Sequence, residues 1–333
     1  MPELAYVWAC LIVFSVLLYV ALDGFDLGIG ILFPLLKDDA RRDVAMNSVA
    51  PVWDGNETWL VLGGGGLFAV FPLAYAVVMP ALYIPVIVML VALIFRGVAF
   101  EFRWKSEGRR WLWDASFFGG SLVAALAQGV TLGALVQGIA VENRAYAGGP
   151  FDWLTPFSLF TGAALIAGYV LLGATWLIMK TEGGLRRQAT DFAWAAGVTT
   201  YVLVAVVSLW TPILDPLYFE RWFRAPMIWF AWPVPLLVAA TAAIMMRGLL
   251  RGGDRAPFLA AQGLFVLCFV GLGISFWPMM IPPEITIVEA AAPRSTLIFM
   301  LVGAGILLPI ILAYTAHAYW VFRGKVREGE GYH

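Results

Sequence analysis

The sequence is poor in charge, in histidine and in cysteine. Only 13% of its 333 residues are charged against 62% hydrophobic, too little polarity to wrap a water-soluble globule. Its two histidines are His317, in an apolar run, and His333, the terminal residue, so a haem with two histidine ligands cannot be built from this chain in a bilayer. The two cysteines, Cys10 and Cys268, also stand in apolar runs, without a CxxC spacing or a neighbouring histidine. Buried packing is expected of both, and a metal site is not. No polar stretch is long enough for a separate soluble domain, and low-complexity sequence is limited to Gly63-Gly64-Gly65-Gly66. Neither Lys-Ser nor Lys-Thr follows that run, which excludes a phosphate-binding loop and leaves close helix packing as its expected use.

What the sequence has instead is long uncharged runs. Residues 115–141, 153–179, 192–214, 225–246, 256–283 and 295–322 lack Asp, Glu, Lys and Arg, and each reaches the roughly 20 residues that a hydrocarbon core of ~30 Å requires of a helix. Residues 5–22 begin a seventh span. The run from Thr58 to Phe95 is too long for one helix and divides near Phe71-Pro72-Leu73-Ala74. The runs do not alternate as barrel strands would. An all-α integral membrane protein of one transmembrane domain is therefore expected, with nine spans near 5–36, 50–71, 76–101, 112–141, 153–179, 192–214, 225–247, 256–280 and 294–322. The first span has no basic residues before it and no small-residue cleavage site after it, so it is expected to be retained.

Lys and Arg orient the spans. Connections after the odd-numbered spans hold 16 of them: Lys37, Arg41, Arg42; Arg103, Lys105, Arg109, Arg110; Lys180, Arg186, Arg187; Arg247, Arg251, Arg255; Arg323, Lys325, Arg327. The other side holds four, Arg144, Arg221, Arg224 and Arg294, and Arg96 alone falls inside a span. The basic side faces the cytoplasm, which places the N-terminus outside and the C-terminus inside. Trp and Tyr near span ends, among them Tyr6, Trp8, Tyr218, Trp222, Trp229, Tyr319 and Trp320, are expected to anchor the helices at the interfaces.

Ionisable groups inside spans cost about 2.5–3.5 kcal/mol each at the bilayer centre, so each is a functional candidate. Asp23 and Asp26 share a helical face on span one, and Asp54 and Glu57 repeat the spacing at the start of span two. Arg96 and Glu101 lie near the basic end of span three, where they are expected to form a structural ion pair. The plain alternatives are that Asp23 and Asp26 cap a helix broken at Gly24, that Asp54 is an N-cap, and that Arg96 only neutralises an acid. The functional reading is a proton or cation inlet on the basic side, since carboxylates near a cation protonate reversibly.

Four motifs carry a resemblance: Ala21-Leu22-Asp23-Gly24-Phe25-Asp26-Leu27-Gly28, Trp53-Asp54-Gly55-Asn56-Glu57-Thr58-Trp59-Leu60, Gly64-Gly65-Gly66-Leu67-Phe68-Ala69 and Phe95-Arg96-Gly97-Val98-Ala99-Phe100-Glu101-Phe102-Arg103. In this order they resemble subunit II of cytochrome bd-type quinol oxidases, with the short loops nearer the cyanide-insensitive branch. The resemblance implies two four-helix bundles plus one peripheral helix in a bacterial inner membrane. It also implies a haem-bearing subunit I, with two b haems and one d haem, that oxidises quinol and reduces oxygen, and in some members a small single-span accessory subunit. This chain would itself bind no haem, though some members hold a structural quinone here. Asp54 matches an acid of the cytoplasmic proton path, and Trp59 a residue near an oxygen entry route. Asp54, Glu57, Asp26 and Asp23 are the expected proton path, although Glu57 replaces a Gln of other members, which leaves open whether it shares the duty with Asp54. Two other classes are a passive assembly subunit and a secondary transporter, the latter suggested by the intramembrane acids and by Pro80 and Pro85.

Overall fold

A computed structural model describes residues 2–106, 108–327 and 329. The chain opens with α1 (Pro2–Leu32), extended by a 3-10 turn at Phe33–Leu35, and a short α2 (Asp39–Asn47) whose first turn is capped by the Asp38 carboxylate accepting from the Arg41 N–H at 2.8 Å. Next come α3 (Trp53–Val70) and α4 (Pro72–Lys105). They part at Phe71, where the run of uncharged residues was expected to divide, because Pro72 has no N–H to continue α3 yet fits the first turn of a new helix.

Then follow α5 (Arg110–Gln137), a hairpin of β1 (Val141–Glu142) and β2 (Ala145–Tyr146), α6 (Pro156–Lys180), α7 (Gly183–Leu214), α8 (Pro216–Phe223), α9 (Ile228–Ala231), α10 (Pro233–Leu250) and α11 (Ala256–Phe276). A second hairpin, β3 (Met279–Ile281) with β4 (Ile285–Thr286), leads into α12 (Ile287–Ala290) and α13 (Arg294–Val321). Gly183–Leu214 begins earlier than its uncharged run, because Leu185 and Ala189 bury one face of its first turns while Arg186 and Arg187 stay on the other.

Among the described residues, eight helical stretches are long and apolar enough to cross a membrane, so the chain is an all-α, multi-pass membrane protein. The 18-residue α3, expected as a further span, falls short of the eight in apolarity because its first two turns carry Asp54, Asn56 and Glu57 and its middle is glycine.

Two cores stack along α1. Every residue from Asp23 to Phe33 is buried, in a core shared with α4, α5, α6 and α11. The other end of α1, with Ala5 and Trp8, packs with the Phe71 turn, Ile281 and Ile285 of the second hairpin and Leu297 of α13. The α1–α6 crossing is unusually close. A Cβ at Gly28 would lie 1.8 Å from the Tyr169 carbonyl oxygen, and one at Gly173 would lie 2.5 Å from the Gly28 carbonyl carbon. Only glycine allows backbones to meet this way. The close crossing holds the polar segment of α1 fast. By contrast α13 is peripheral: Leu297 is its one buried residue.

Candidate functional site: a buried ion cluster around Arg96

Three helices each bring a charged group to one point inside the Asp23 end of the bundle. α4 supplies Arg96, seated by Gly120 of α5, where a Cβ would come within 3.0 Å of the Arg96 Cβ. α1 runs unbroken through Gly24, so Asp23 and Asp26 stay on one face rather than capping a break. The Arg96 Nη2 is 2.9 Å from Asp23 Oδ1 and 3.7 Å from Asp26 Oδ2. Nη1 donates to Glu57 Oε1 of α3. Arg96, Asp23 and Asp26 are fully buried, whereas the Glu57 side chain keeps 24% exposure. Glu57 is thus the one acid of the cluster that reaches the surface of this chain.

Neutral groups extend the cluster. The buried Asn56 Nδ2 donates to Asp26 Oδ2 at 2.7 Å and to the Leu22 carbonyl at 3.2 Å. Its Oδ1 accepts from the Tyr319 hydroxyl of α13 at 2.9 Å, while the acceptor-only Asp26 carboxylate and Leu22 carbonyl fix the Nδ2 end toward themselves. One turn back along α1 from Asp23, the Tyr19 hydroxyl accepts from Gln128 Nε2 at 2.7 Å, and Gln128 Oε1 accepts from the Tyr169 hydroxyl at 2.7 Å. Asp23 Oδ2 and Asp26 Oδ1 have no hydrogen-bond partner among the described residues.

A second ion network closes the same end. Arg103, one of the cations assigned to a loop by sequence, is fully buried; its Nε donates to Asp114 and its Nη1 to Asp43, both at 2.6 Å, tying α2, α4 and α5 together.

Several sequence expectations need correction. Arg96 and Glu101 do not pair: five positions put them about 140° apart around a helix, and Glu101 instead meets Lys105 at 3.1 Å on the exposed face. Asp54 is exposed in the first turn of α3 and makes no cap; the capping position is Val52. Cys10 is exposed rather than buried, because in a chain surrounded by lipid an apolar side chain gains nothing by facing inward. Gly63 and Gly66 pack on Val16 and Ile12 of α1, but Gly64 and Gly65 face open space.

The tryptophan and tyrosine anchors include three that serve the interior. Trp8 donates to the Leu297 carbonyl at 3.0 Å, Tyr218 to the Val136 carbonyl at 2.8 Å, and Tyr319 to Asn56. Trp59 is fully buried, with Phe14 edge-on at 6.1 Å. His317 is exposed beside Trp320, and His333 lies outside the described residues. Asn56 and Tyr319 are the site residues that sequence reasoning missed. Asn56 had a signal, a polar amide lying between the acids Asp54 and Glu57; Tyr319 had none, since its partner is 263 positions away.

Comparison with known proteins agrees with this architecture. Residues 4–322 match the family model of cytochrome bd terminal oxidase subunit II. The chain is 32% identical over 370 residues to cytochrome bd-I ubiquinol oxidase subunit 2 of Escherichia coli strain K12, covering 97% of this chain and 95% of that one. It is 28% identical over 342 residues to cytochrome bd ubiquinol oxidase subunit 2 of Bacillus subtilis, covering 99% of both. A chain in the structure of bd oxidase from Geobacillus thermodenitrificans superimposes with a TM-score of 0.76 over 96% of this chain and 99% of its own, at 17% identity, and so shares its fold. The chain belongs to the cytochrome bd terminal oxidase subunit II family.

Proposed function

We propose that this chain is the haem-free partner of a haem-bearing subunit I in a quinol oxidase of a bacterial inner membrane, and that its ion cluster is part of the proton path to the oxygen-reducing site. Nine spans, counting α3, would set the N-terminus outside and the C-terminus in the cytoplasm, as the distribution of Lys and Arg requires. Two four-helix bundles with α13 on the periphery fit that count. Quinol protons leave outside and the protons of water formation enter from the cytoplasm, so proton-motive force arises without pumping. Two b haems and one d haem belong to subunit I, a structural quinone and a small accessory subunit completing the complex in some relatives.

The observation that carries the reading is charge imbalance. One guanidinium faces three carboxylates, two of them fully buried. Uncompensated charges at that depth cost several kcal/mol each, so the cluster is balanced only by holding protons. Carboxyls that must hold protons, one of them opening outward through Glu57, form a reversible proton store with an entrance. Asp54, exposed one turn before Glu57, is the receiving acid, and Asp23 and Asp26 lie behind Arg96. Trp59, buried on α3, lines an oxygen route in this reading.

Asp54→Asn and Glu57→Gln, each in the assembled oxidase, test it: haem is retained and most quinol oxidase turnover is lost. Full turnover in both would remove the proton role. The second reading, a passive assembly subunit whose acids only neutralise Arg96, draws on the complete burial of Arg96. It expects those two variants to turn over normally and Arg96→Leu alone to abolish assembly. A secondary transporter would instead function when purified by itself.

A further inference from the structure

Lys180, the last residue of α6, is a buried amine with 6% exposure, and no carboxylate pairs with it among the described residues. Its Nζ donates to the Phe322 carbonyl and, at 3.1 Å, to the Gly324 carbonyl, both just past the end of α13. The segment after α13 returns the contact: the Val326 N–H donates to the Lys180 carbonyl at 2.8 Å. Lys325 reaches Asp254 at 2.9 Å and Glu182 at 3.6 Å. Residues 322–326 thus form a strap across the end of the bundle, and its innermost fastening is an ammonium enclosed by carbonyl oxygens.

The strap lies at the one end of α13 that matters to the ion cluster. α13 fully buries only Leu297, near its far end, and at its other end Tyr319 is the side chain packed against the core. Tyr319 must nevertheless place its hydroxyl 2.9 Å from Asn56 Oδ1. Its ring stands edge-on to Trp176 at 6.3 Å, and the Lys180 ammonium sits 5.1 Å from the centroid of that same Trp176 ring. Lys180, Trp176, Tyr319, Asn56 and Asp26 form one connected series.

We infer that Lys180 is a positioning residue for the ion cluster: by clasping the C-terminal strap it registers Tyr319 against Asn56, and so keeps Asn56 Oδ1 hydrogen-bonded while its Nδ2 donates to Asp26. Released from the strap, Tyr319 withdraws its hydroxyl, and the buried Asn56 loses the partner of its Oδ1 and holds Asp26 less firmly. The charged groups around this series are Asp23 and Asp26 on α1, Glu57 on α3, Arg96 on α4 and Lys180 itself on α6, with Lys325, Glu182 and Asp254 along the strap. The inference rests on the proton-path reading for its effect on turnover, but not for the clasp.

The test uses the assembled oxidase with Lys180→Met, Lys180→Arg, Tyr319→Phe and the Lys180→Met/Tyr319→Phe pair. Hydrogen–deuterium exchange across residues 315–327, haem content and turnover against pH are measured. Lys180→Met speeds exchange over 322–326, Lys180→Arg restores protection, and haem content is unchanged. Turnover in Lys180→Met falls at least about twofold with its pH profile displaced as in Tyr319→Phe, and the pair loses no more than either single variant. Unchanged exchange in Lys180→Met, or losses that multiply in the pair, overturns the inference. Should Lys180→Met fail to assemble, removal of residues 324–333 releases the strap with Lys180 intact; wild-type turnover there overturns the inference equally. Failure of the proton-path reading is distinct: it shows as full turnover in Asp54→Asn and Glu57→Gln, and the exchange measurements then decide the clasp alone.

Discussion

The guanidinium of Arg96 stands 2.9 Å from the carboxylate of Asp23, with both side chains wholly buried, although 73 positions of chain separate them. α1 is held against α6 at Gly28 and Gly173, and α4 against α5 at Gly120, which leaves their polar segments little room to withdraw. The pair is incomplete as a salt bridge, since Asp26 and Glu57 compete for the same cation. A buried pair with surplus acid is poor material for stability and good material for exchanging protons.

Removing the cation should therefore be worse than removing any one acid. Arg96→Leu leaves Asp23 and Asp26 buried without a counter-charge, and breaking a buried pair from one side costs about 3–5 kcal/mol. The expected result is little or no assembled oxidase by haem content and size-exclusion profile. Asp23→Asn, which retains the cation and two acids, should assemble.

The α1–α6 crossing gives a steric prediction. Gly28→Ala places a methyl group against a backbone carbonyl that has no rotamer through which to yield, so the helices must separate, at about 1–3 kcal/mol. Thermal unfolding of the purified complex should show the loss. Gly305→Ala on α13, where nothing lies within 4 Å, should be neutral or slightly stabilising.

Arg103 predicts a different failure. Arg103→Met removes the shared partner of Asp43 and Asp114 and should loosen α2 from α5, seen as faster hydrogen exchange over residues 39–47, while the Arg96 cluster stays intact. Lys at this position should restore little, because the two acids are met by different nitrogens of the guanidinium fork.

The strap has a pH dependence of its own. Hydrogen bonding from Lys325, helped by the charge of Arg186, holds the Asp254 carboxyl below its usual 3.8. A lowered native value means that this tie is fully present above pH 3.8 and is lost as pH falls through the lowered value. Proteolysis of the 322–327 segment by pepsin should therefore begin only in that acid range. Asp254→Asn should show it already at higher pH, and since Asp254 is largely exposed the change should stay local.

Much of the helical framework was legible because lipid imposes a simple rule: a stretch that crosses must be long, apolar and helical to satisfy its own backbone. Pro72 marked the α3–α4 break for a reason equally local. The motif acids were legible as costly residues in the wrong solvent. Their partners were not. Periodicity places Asp23 with Asp26, but that Arg96 belongs to them and not to nearby Glu101 depends on which face of α4 turns toward α1.

The sequence by itself determined that this is a multi-pass helical membrane protein, which residues are out of place in it, and, through four motifs, which family it resembles. Only the tertiary structure decided that Arg96 gathers Asp23, Asp26 and Glu57, that Tyr319 leaves the interface to bond Asn56, and that Lys180 fastens the strap behind it. Spans follow from the transfer of single side chains into lipid, a local quantity that can be read residue by residue. Ion pairing follows from distances between residues far apart in the chain, and those are fixed only when backbones close upon one another at Gly28 and Gly173.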